Sequence, residues 1–395
     1  MMRLSNLAKS LKSGQRDDFA KRIWRLEKEG KKIFHLDIGD PDFDTPKHII
    51  EAAVKSLRSG DTHYDVAGGT RDFRKAIAKS VKKELGFLPE EEQILIGPSP
   101  MLIYFLLQCV ADKGDEVIVG DPAYARFYSL LNLLGLKPEP VVLKEREGFR
   151  MNPDRVREKI TKRTRLVIMN SPHNPTGAVM TKKENEQLFR LARKYNFLIL
   201  SDEVYGKLIY SGQHYSPGVN DHCRSNVVIL NSFSKAYAMT GWRLGYLVGP
   251  KELMKKVEVL IRNTIFSLPV FIQKAGISAL LGSDKFLKKT VVDYKKRRNI
   301  LVAGLNRLPG VKCAMPDGAL YVFPNIRGTG LSSREFVNFM LEKAGVALSA
   351  GTEFGREGEG FIRVSFTVSM KDIQEAVKRM EAVLQNKNFQ YARKN

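Results

Sequence analysis

The chain has 395 residues, 43% of them hydrophobic and 27% charged, and its 65 Lys and Arg against 43 Asp and Glu give a formal net charge of +22. This length allows a large domain and a smaller one, each with its own core. Three widely spaced cysteines without a CxxC pair argue against a disulfide framework or a zinc site. With no signal-peptide core and no apolar run of membrane-spanning length, we expect a cytoplasmic protein.

The positive charge allows two interpretations. It could form a surface for nucleic acid or other anions, or a lysine-rich surface that keeps the protein in solution. The basic residues are spread along the whole chain, mostly in predicted helices that also carry glutamate. We therefore expect no nucleic-acid partner and no membrane partner. A nucleic-acid binder stays an alternative that rests on net charge alone.

The first part of the chain contains a helical pattern over 17–29 and then an Asp-rich loop over 36–46. The alternating aspartates of this loop resemble a calcium loop, but its two prolines and the missing glutamate at the twelfth position argue against one. Thr45 is predicted instead to cap the helix that begins near Pro46. The six histidines show no metal-ligand spacing, so we assign no metal.

Short aliphatic runs alternate with helical patterns along the middle of the chain. The aliphatic runs predict buried strands over 93–96, 116–119, 166–169, 198–200, 227–230 and 244–248. Helical patterns lie between most of them, over 101–111, 126–134 and 182–195. This alternation predicts an α/β fold with a mainly parallel central sheet covered by helices. Ligands in such sheets bind beyond the carboxyl ends of the strands.

The pattern changes after Pro250. Long amphipathic helical patterns continue to about 308, and a smaller α+β pattern follows, with strands near 319–323 and 361–366 and a last helix over 371–385. We predict a large α/β domain over 48–285, and a small α+β domain made of 1–47 together with 286–395.

The segment 232–246 carries the most informative chemistry. Lys235 follows the predicted strand 227–230 among small and hydroxyl residues, and Arg243 lies eight positions further on among apolar neighbours. A lysine placed just beyond a buried strand, near a second cation, is a candidate nucleophilic amine. Pyridoxal phosphate chemistry needs an amine that bonds to an aldehyde while an arginine holds a phosphate. The segment therefore suggests such a site.

A pair of residues that follow the predicted strand 198–200, Asp202 and Tyr205, fit the same chemistry. Asp202 could pair with the ring nitrogen of a pyridoxal cofactor and keep it protonated. Tyr205 could reach the phenolic oxygen of the ring. Each also has an ordinary interpretation, because an aspartate at a strand end is often a cap or turn former, and a half-buried tyrosine needs no function.

Two further polar residues lie in or after predicted strands. Asn174 stands between Pro172 and Pro175 in a stiff loop, so that its amide would be held in place for the phenolic oxygen. Asn-Pro is also a turn signal by itself. Arg363 lies inside the strand near 361–366, where an inward-facing guanidinium would need an anion such as a substrate carboxylate. An exposed edge-strand arginine is the alternative.

Over nearly all of its length the chain resembles the fold-type I, class I/II pyridoxal-phosphate aminotransferases, of the aspartate aminotransferase type. The matching segments stand in family order: LDIGDPDFDTP, HYDVAGGTRDFRKAI, GDEVIVGDPAY, NSPHNPTG, SDEVYGKLIY, SFSKAYAMTGWRLGY, PDGALYVF and GEGFIRVSF. Each segment alone is weak, and together they are highly specific. The resemblance implies the fold of that family, pyridoxal 5'-phosphate as the cofactor and amino-group transfer as the activity.

The resemblance also implies roles at matched positions. Lys235 would bond covalently to the cofactor, and Asp202 would pair with the pyridine nitrogen. Arg363 would bind the substrate's α-carboxylate, with Gly39 and Asn174 close to it. The other cofactor contacts implied are Asn174 and Tyr205 at the phenolic oxygen, Ser232 and Arg243 at the phosphate, Tyr124 stacked on the ring, and Tyr64 reaching the phosphate of a neighbouring subunit in a homodimer with shared active sites.

The chain departs from the family pattern at the phosphate-binding turn, which reads Gly97-Pro98-Ser99-Pro100. Proline has no N–H, so only Ser99 and Met101 are expected to donate from the backbone here. Pro100 suits the first turn of the following helix. We therefore expect Ser99, Pro100 and Met101 to border the phosphate with fewer amide donors than usual.

The resemblance implies a ping-pong transfer from an L-amino acid, aspartate-like or of broad range, to a 2-oxo acid such as 2-oxoglutarate. Aspartate-specific relatives often bind the distal substrate carboxylate with a second arginine from the partner subunit. No motif marks such a residue here, and Arg71, Arg126 and Arg262 are candidates. A pyridoxal-dependent C–S β-lyase on the same fold is the first alternative. A transcription regulator built on this fold is less favoured, because it would need a DNA-binding domain before the family pattern.

Overall fold

The computed structural model of the chain describes residues 3–10 and 15–386. The remaining residues, all in the predicted small domain, lie outside the described part. The strands are β1 Phe34–His35, β2 Ile94–Gly97, β3 Glu116–Asp121, β4 Lys137–Val142, β5 Thr164–Asn170, β6 Leu198–Asp202, β7 Val227–Ser232, β8 Gly245–Val248, β9 Tyr321–Val322, β10 Val346–Ala347, β11 Ser349–Ala350 and β12 Ile362–Ser365. The α-helices are α1 Asn6–Ser10, α2 Gln15–Lys28, α3 Lys47–Arg58, α4 Arg71–Leu85, α5 Ser99–Val110, α6 Ala125–Leu133, α7 Pro153–Lys159, α8 Lys182–Tyr195, α9 Gly218–Asp221, α10 Lys251–Thr264, α11 Val270–Leu281, α12 Lys285–Leu305, α13 Ser333–Phe339 and α14 Met370–Gln385.

Seven strands form the central sheet in the order β2-β8-β7-β6-β5-β3-β4. β8 is antiparallel to both of its neighbours, and the other adjacent pairs are parallel. The aliphatic runs of β5, β6 and β7 are buried on both faces, as expected for parallel strands between layers of helices. The predicted α/β fold with a mainly parallel sheet is confirmed.

β4 is a strand that the sequence did not predict. Its sequence KPEPVV contains two prolines, which lack the N–H that a central strand needs on both sides. In the structure β4 pairs only with β3 at the edge of the sheet, where one side of the strand needs no partner. The edge position therefore explains why this sequence still forms a strand.

Helix α8 shows how local signals set an element's ends. Thr181 accepts a hydrogen bond from the backbone N–H of Glu184, and the Glu184 side chain bonds back to Thr181, which forms a capping box. Asn196 ends the helix in the left-handed conformation at φ 55°. Because both signals can be read from the sequence, the predicted and observed bounds of this helix agree.

Apolar side chains are buried in separate clusters around two sets of strands. Alternate residues of the central sheet enter different clusters, as Ile199 and Leu200 of β6 do. A further cluster surrounds the three-stranded sheet β11-β12-β9 and includes Tyr294 of α12 and Phe366. Leu287, near the start of α12, packs against clusters of both groups. The predicted domain boundary between residues 285 and 286 falls at the start of this helix and stays a prediction.

Thr45 does not cap a helix, contrary to the prediction. Pro46 occupies the N-cap position of α3. The Thr45 hydroxyl instead donates to the carbonyl oxygen of Ala238 and accepts from the indole nitrogen of Trp242 at 3.0 Å. Thr45 thereby joins the Asp-rich N-terminal loop to the segment that follows Lys235. Within the described residues, none of the helices has the length and apolar character needed to cross a bilayer.

Candidate active site

A cavity of about 310 Å³ lies at the carboxyl ends of β5, β6 and β7. These strands contribute their last residues, Asn170, Asp202 and Ser232, to its wall. This is the edge at which parallel sheets bind ligands. The N-terminus of α5, strand β12 and the N-terminal loop close the other sides. The full lining is Ile38, Gly39, Asp40, Ser99, Pro100, Ile103, Tyr124, Arg126, Asn170, Asn174, Asp202, Val204, Tyr205, Leu230, Ser232, Ser234, Lys235, Thr240, Arg243, Leu244, Tyr321 and Arg363.

Lys235 reaches into this cavity three residues after the end of β7. Its Nζ donates a hydrogen bond to the backbone carbonyl oxygen of Gly39 at 2.7 Å. Gly39 belongs to the N-terminal loop, 196 positions away in sequence. The amine is thus held by a neutral acceptor that a ligand can replace, rather than by a carboxylate.

Asp202 places a buried carboxyl group in the cavity wall. It is 4% exposed, and its Oδ1 accepts a hydrogen bond from the backbone N–H of Val204 at 3.3 Å. Burial raises the pKa of the Asp202 carboxyl to about 7, and the nearby charge of Glu203 contributes to the rise. The site therefore suits a ligand that brings a cationic or proton-donating group to this carboxyl group.

Asn170 and Asn174 form a short relay next to Asp202. The side chain of Asn170 donates to the backbone oxygen of Asp202 at 3.0 Å and accepts from the backbone N–H of Asn174 at 2.8 Å. The Asn174 side chain then accepts from Nη1 of Arg363 at 3.2 Å. Each of these side chains is buried. The relay holds the Asn174 amide at the cavity wall.

Arg363 is a buried guanidinium whose partners are all neutral. It is 3% exposed and donates to the Asn174 side-chain oxygen, the Asp37 carbonyl and the Ser349 hydroxyl. Its Nε has no hydrogen-bond partner within the part of the chain that the structure describes. The rings of Tyr321 and Phe354 lie 4.4 and 4.7 Å from its guanidinium carbon. A buried charge in this setting suits an anionic ligand with two oxygens.

Tyr205 and Tyr321 form a pair of phenols on the same wall. Their hydroxyl oxygens are 3.0 Å apart and their rings pack edge to face. Burial raises the pKa of Tyr205 well above its ordinary value, and the neighbouring Tyr321 adds to this rise. A Cβ at Gly39 would lie 1.9 Å from the Tyr321 hydroxyl, so only glycine fits there. The raised pKa keeps the Tyr205 phenol protonated, so that it can donate a hydrogen bond.

A further group of lining residues presents hydroxyl groups and a guanidinium. Ser232 donates to Ser234 at 3.0 Å, and Arg243 donates to the carbonyl of Thr240 at 2.8 Å. The Ser99 hydroxyl lies against Gly245, where a Cβ would be 2.2 Å from its oxygen. These groups could surround a phosphate.

The backbone N–H of Met101 differs from the prediction for the phosphate-binding turn. It donates to the carbonyl of Pro98 at 2.9 Å, inside the first turn of α5. The Met101 side chain does not line the cavity and is partly exposed. Pro98 occupies the N-cap and Pro100 follows within the helix, so neither supplies an N–H. Ser99 is therefore the one predicted donor of this turn that lines the cavity.

The structure brings most of the other predicted residues together and separates one. Lys235, Asp202, Tyr205, Asn174, Ser232, Arg243, Tyr124, Ser99, Pro100, Arg363 and Gly39 all line the cavity. Tyr64 does not line it: its side chain is 85% exposed and packs edge to face on Phe266. Within one chain, Tyr64 therefore points to solvent.

Several lining residues were not predicted as site residues. Asn170 and Tyr321 carry the contacts described above, and Ser234, Thr240 and Asp40 also face the cavity. Asn170 directly follows the predicted strand 166–169, much as Asp202 follows the predicted strand 198–200, and this position was a usable signal. Tyr321 lies within a buried strand pattern, which gives no sign of a polar role. No group of three or more His, Cys, Asp or Glu among the described residues could hold a metal ion.

The chain is similar to aminotransferases over most of its length. The family model "Aminotransferase class I and II" matches residues 31–380. An aspartate aminotransferase of Pyrococcus horikoshii is 40% identical over 356 residues, which cover 89% of this chain and 91% of that protein. An arginine–pyruvate transaminase of Pseudomonas aeruginosa is 36% identical, with coverage of 89% and 90%. The solved structure of Thermus thermophilus aspartate aminotransferase with maleate has a TM-score of 0.92 and 34% identity, covering 97% of this chain and all of that one.

Proposed function

Because the chain belongs to the class I and II aminotransferases, we propose that it transfers amino groups between L-amino acids and 2-oxo acids with pyridoxal 5'-phosphate as its cofactor. One observation carries the proposal: an amine, a buried carboxyl group and a buried arginine, those of Lys235, Asp202 and Arg363, line one cavity. The relatives reported above are named as transaminases, so nothing in those names favours the β-lyase alternative.

The cavity residues fit the proposed cofactor by their chemistry. The proton-binding carboxyl of Asp202 suits a pyridine nitrogen, and the hydroxyls of Ser232 and Ser99 with Arg243 suit a phosphate. Asn174 and Tyr205 supply N–H and O–H donors for the phenolic oxygen, and Tyr124 supplies an aromatic face. When bound, the cofactor supplies an aldehyde that captures the amino group and a ring that accepts electrons from the substrate's α-carbon.

Lys235 is proposed to carry the proton. Its Nζ lies inside the cavity with a carbonyl oxygen as its acceptor, so the amine is near the reacting atoms and has no competing carboxylate. The free amine of Lys235 would take a proton from the substrate's α-carbon and deliver it to the cofactor carbon that carried the aldehyde. Asp202 keeps the ring nitrogen protonated during this transfer, and so favours electron flow into the ring.

Arg363 is proposed to bind the α-carboxylate. A guanidinium offers two parallel N–H donors to a carboxylate, and its Nε is free for one of them. The stacked rings of Tyr321 and Phe354 fix the plane of the guanidinium. Substrate bound there would have its α-carbon oriented by a rigid, buried group, which lowers the entropic cost of reaction.

Arg126 is proposed to favour substrates with a second carboxylate. It is the second residue of α6, directly after Tyr124 and Ala125, and lines the cavity. Of the other two candidates, Arg71 pairs with Glu91 at 3.1 Å, and Arg262 lies on α10 away from the cavity. Among the described residues, Arg126 has no carboxylate partner. A dicarboxylate such as aspartate or 2-oxoglutarate would supply one, and the solved relative named above is a complex with maleate.

A second copy of the chain is proposed to complete the site. Tyr64, Val66 and Phe266 are exposed, although they are large and apolar or aromatic. Such side chains at one place usually mark an interface. In a homodimer, Tyr64 would reach the phosphate in the neighbouring subunit, where the turn at Pro98 and Pro100 offers few amide donors.

We also propose a reducing, cytoplasmic location. Cys109, Cys223 and Cys313 are all free, and the last two are buried. Burial raises the pKa of the Cys223 and Cys313 thiols, which keeps them protonated and unreactive.

The test of the proposed function is a screen of half-reactions. The purified protein is loaded with pyridoxal phosphate, and the absorbance of the bound cofactor is followed after adding single L-amino acids, without an acceptor. A spectral change with stoichiometric 2-oxo acid, reversed by a second 2-oxo acid, is expected. Release of ammonia and pyruvate in place of a reversible change would point to lyase chemistry and contradict the proposal.

A further inference from the structure

The residue after Asp202 is a second buried carboxylate. Glu203 is 3% exposed and lines a separate cavity of about 540 Å³, which we call the rear cavity. Ile229 and Asn231 of β7 line the rear cavity, whereas Leu230 and Ser232 line the active site. Because successive strand residues face opposite sides of a sheet, the two cavities lie on opposite faces. The side chains of Asp202 and Glu203 thus face opposite sides of the sheet at the end of β6.

Three side chains hold the Glu203 carboxylate. Its Oε1 accepts hydrogen bonds from the hydroxyls of Ser201 at 2.8 Å and Ser216 at 2.6 Å. Its Oε2 lies 3.1 Å from Nε2 of His214, which donates when that nitrogen carries the hydrogen. Both carboxylate oxygens are therefore held in fixed positions by side-chain contacts.

Glu203 also ties together the segment that leads from the strand. Its backbone N–H donates to Leu230 at 2.9 Å, and its carbonyl accepts from Gly206 at 2.8 Å. The side-chain contacts to His214 and Ser216 close the loop over 203–216, which contains Tyr205. In contrast, the Asp202 carboxyl accepts a single hydrogen bond from within the described chain, from Val204. The position of Asp202 is set mainly by its backbone, which Glu203 anchors.

We propose that Glu203 is a positioning residue, which fixes the end of β6 and supplies a buried negative charge behind Asp202 that helps to keep the cofactor's ring nitrogen protonated. This inference rests on the proposed function. Two close negative charges each favour retention of a proton by the other group. In agreement, the charge of Glu203 contributes to the raised pKa of Asp202, after the larger effect of burial.

Other titratable groups around Glu203 do not supply the same charge. Glu84 lines the rear cavity, but its carboxylate is paired with Lys207 and accepts from Ser80. Burial raises the pKa of Tyr246 and of Cys223 well above their ordinary values, so both stay neutral. His214 faces Glu203 directly through its Nε2. Glu203 is thus the carboxylate next to Asp202, and Glu84 is a matched carboxylate in the same cavity.

The experiment compares Glu203→Gln with the wild type, both loaded with pyridoxal phosphate. The amide keeps the shape of the side chain and removes its charge. We expect the pH midpoints of the bound cofactor's absorbance, and of the ¹⁵N shift of ring-labelled cofactor, to fall by about one pH unit. The alkaline limb of the kcat profile should move in the same direction. Glu203→Asp, which keeps the charge, should restore midpoints close to wild type.

Glu84→Gln is the control, because it removes a carboxylate from the same cavity and should leave the midpoints in place. If Glu203→Gln lowers the melting temperature but leaves the midpoints unchanged, the role is structural only and the inference is overturned. If that variant does not fold, the double variant Ser201→Ala, Ser216→Ala takes its place. Loss of both hydroxyl donors frees the Glu203 carboxylate from its fixed position behind Asp202, and an unchanged midpoint would again overturn the inference.

The two proposals fail in distinguishable ways. If the wild type takes up no pyridoxal phosphate, the proposed function falls and the inference falls with it. If the wild type binds and titrates but Glu203→Gln titrates identically, only the role of Glu203 is refuted.

Discussion

The side-chain oxygen of Asn174 accepts a hydrogen bond from Nη1 of Arg363 at 3.2 Å, although the two residues lie 189 positions apart. The contact joins the loop after β5 to strand β12. It also occupies one of the N–H groups that Arg363 would offer to a carboxylate, and it leaves Nε free. The proposed carboxylate-binding arginine and the proposed donor to the cofactor's phenolic oxygen are therefore in direct contact.

Arg363→Lys tests the geometry of that guanidinium. Lysine keeps the charge but loses the fork of parallel donors, and it leaves Asn174 without its partner. We expect KM for amino acid and 2-oxo acid substrates to rise about 10- to 100-fold, while the cofactor's absorbance stays as in the wild type. Steady-state kinetics with both substrates provide the measurement. An unchanged KM would show that the carboxylate binds elsewhere.

Lys235→Ala should abolish turnover, because the amine is proposed to be both the covalent partner of the cofactor and the proton carrier. A loss of more than about 1000-fold in kcat is expected, together with loss of the absorbance band of the covalently held cofactor. Lys183→Ala, at an exposed position of α8, is the matched control. A Lys235→Ala protein that retained both turnover and the band would refute the assignment.

Asp202→Asn should change the pH dependence of stability in the cofactor-free protein. The pKa of Asp202 is about 7 in the folded chain and about 3.9 for an unfolded aspartate. The folded state therefore binds more protons between these values, so this group lowers stability as pH rises from about 4 to about 7. We expect the asparagine variant to gain stability relative to wild type over that range.

The measurement is the difference in melting temperature between wild type and Asp202→Asn, followed from pH 4 to 8. Taking the difference removes contributions from other titrating groups, such as His35, whose pKa is raised to about 9 by Asp37 and Glu27. A difference that stays constant with pH would contradict the prediction. With cofactor added, the asparagine variant should lose activity, because the ring nitrogen loses its carboxylate partner.

Arg126→Gln should reduce the preference for dicarboxylate over monocarboxylate substrates, measured as the ratio of their kcat/KM values. We expect kcat/KM for aspartate, glutamate and 2-oxoglutarate to fall about 10- to 100-fold, since a charge-assisted hydrogen bond is lost, and that for alanine to change little. Binding of maleate to the apoprotein, measured by calorimetry, should weaken to a similar extent. Arg193→Gln, on exposed α8, is the control. Equal losses for alanine and glutamate would remove Arg126 from specificity.

Tyr64 is best tested by mixing subunits. Tyr64→Ala and Lys235→Ala homodimers should each be impaired, the first by weaker cofactor binding. In a hybrid dimer of the two variants, the Tyr64→Ala subunit keeps Lys235 and its partner supplies Tyr64. One complete site is then restored. Co-expression should therefore recover up to half of wild-type activity in the purified hybrid. No recovery would show that Tyr64 acts within its own chain or not at all.

Much of this architecture could be predicted from local patterns. Strands such as β6 and β7 contain continuous aliphatic runs, and Asp202 and Lys235 come shortly after these runs, so the sequence predicted both residues at the same sheet edge. Helix α8 carries its own start and stop signals. These features depend on neighbours in the chain, which a sequence displays.

What could not be predicted depends on partners distant in sequence. Thr45 has the local features of a cap, yet it bonds to Ala238 and Trp242. Tyr321 reads as core, and its polar role depends on Tyr205, 116 positions away. β4 contains prolines, which disfavour a central strand, and its position at the edge of the sheet cannot be read from its own residues. The Met101 amide is consumed by its own helix turn, a detail of geometry rather than of residue type.

The N-terminal loop gives the ligand-free site a further property. The carbonyl of Asp37 accepts from Arg363, and the carbonyl of Gly39 accepts from Lys235, so one short stretch of backbone satisfies both cations. A substrate carboxylate that binds Arg363 must displace the Asp37 carbonyl, just as a cofactor bonded to Lys235 would displace that of Gly39. The substrate's measured affinity then reflects the contacts that it gains minus those that the N-terminal loop loses. An inhibitor of this site must likewise bind these groups more tightly than the carbonyl groups of the loop do.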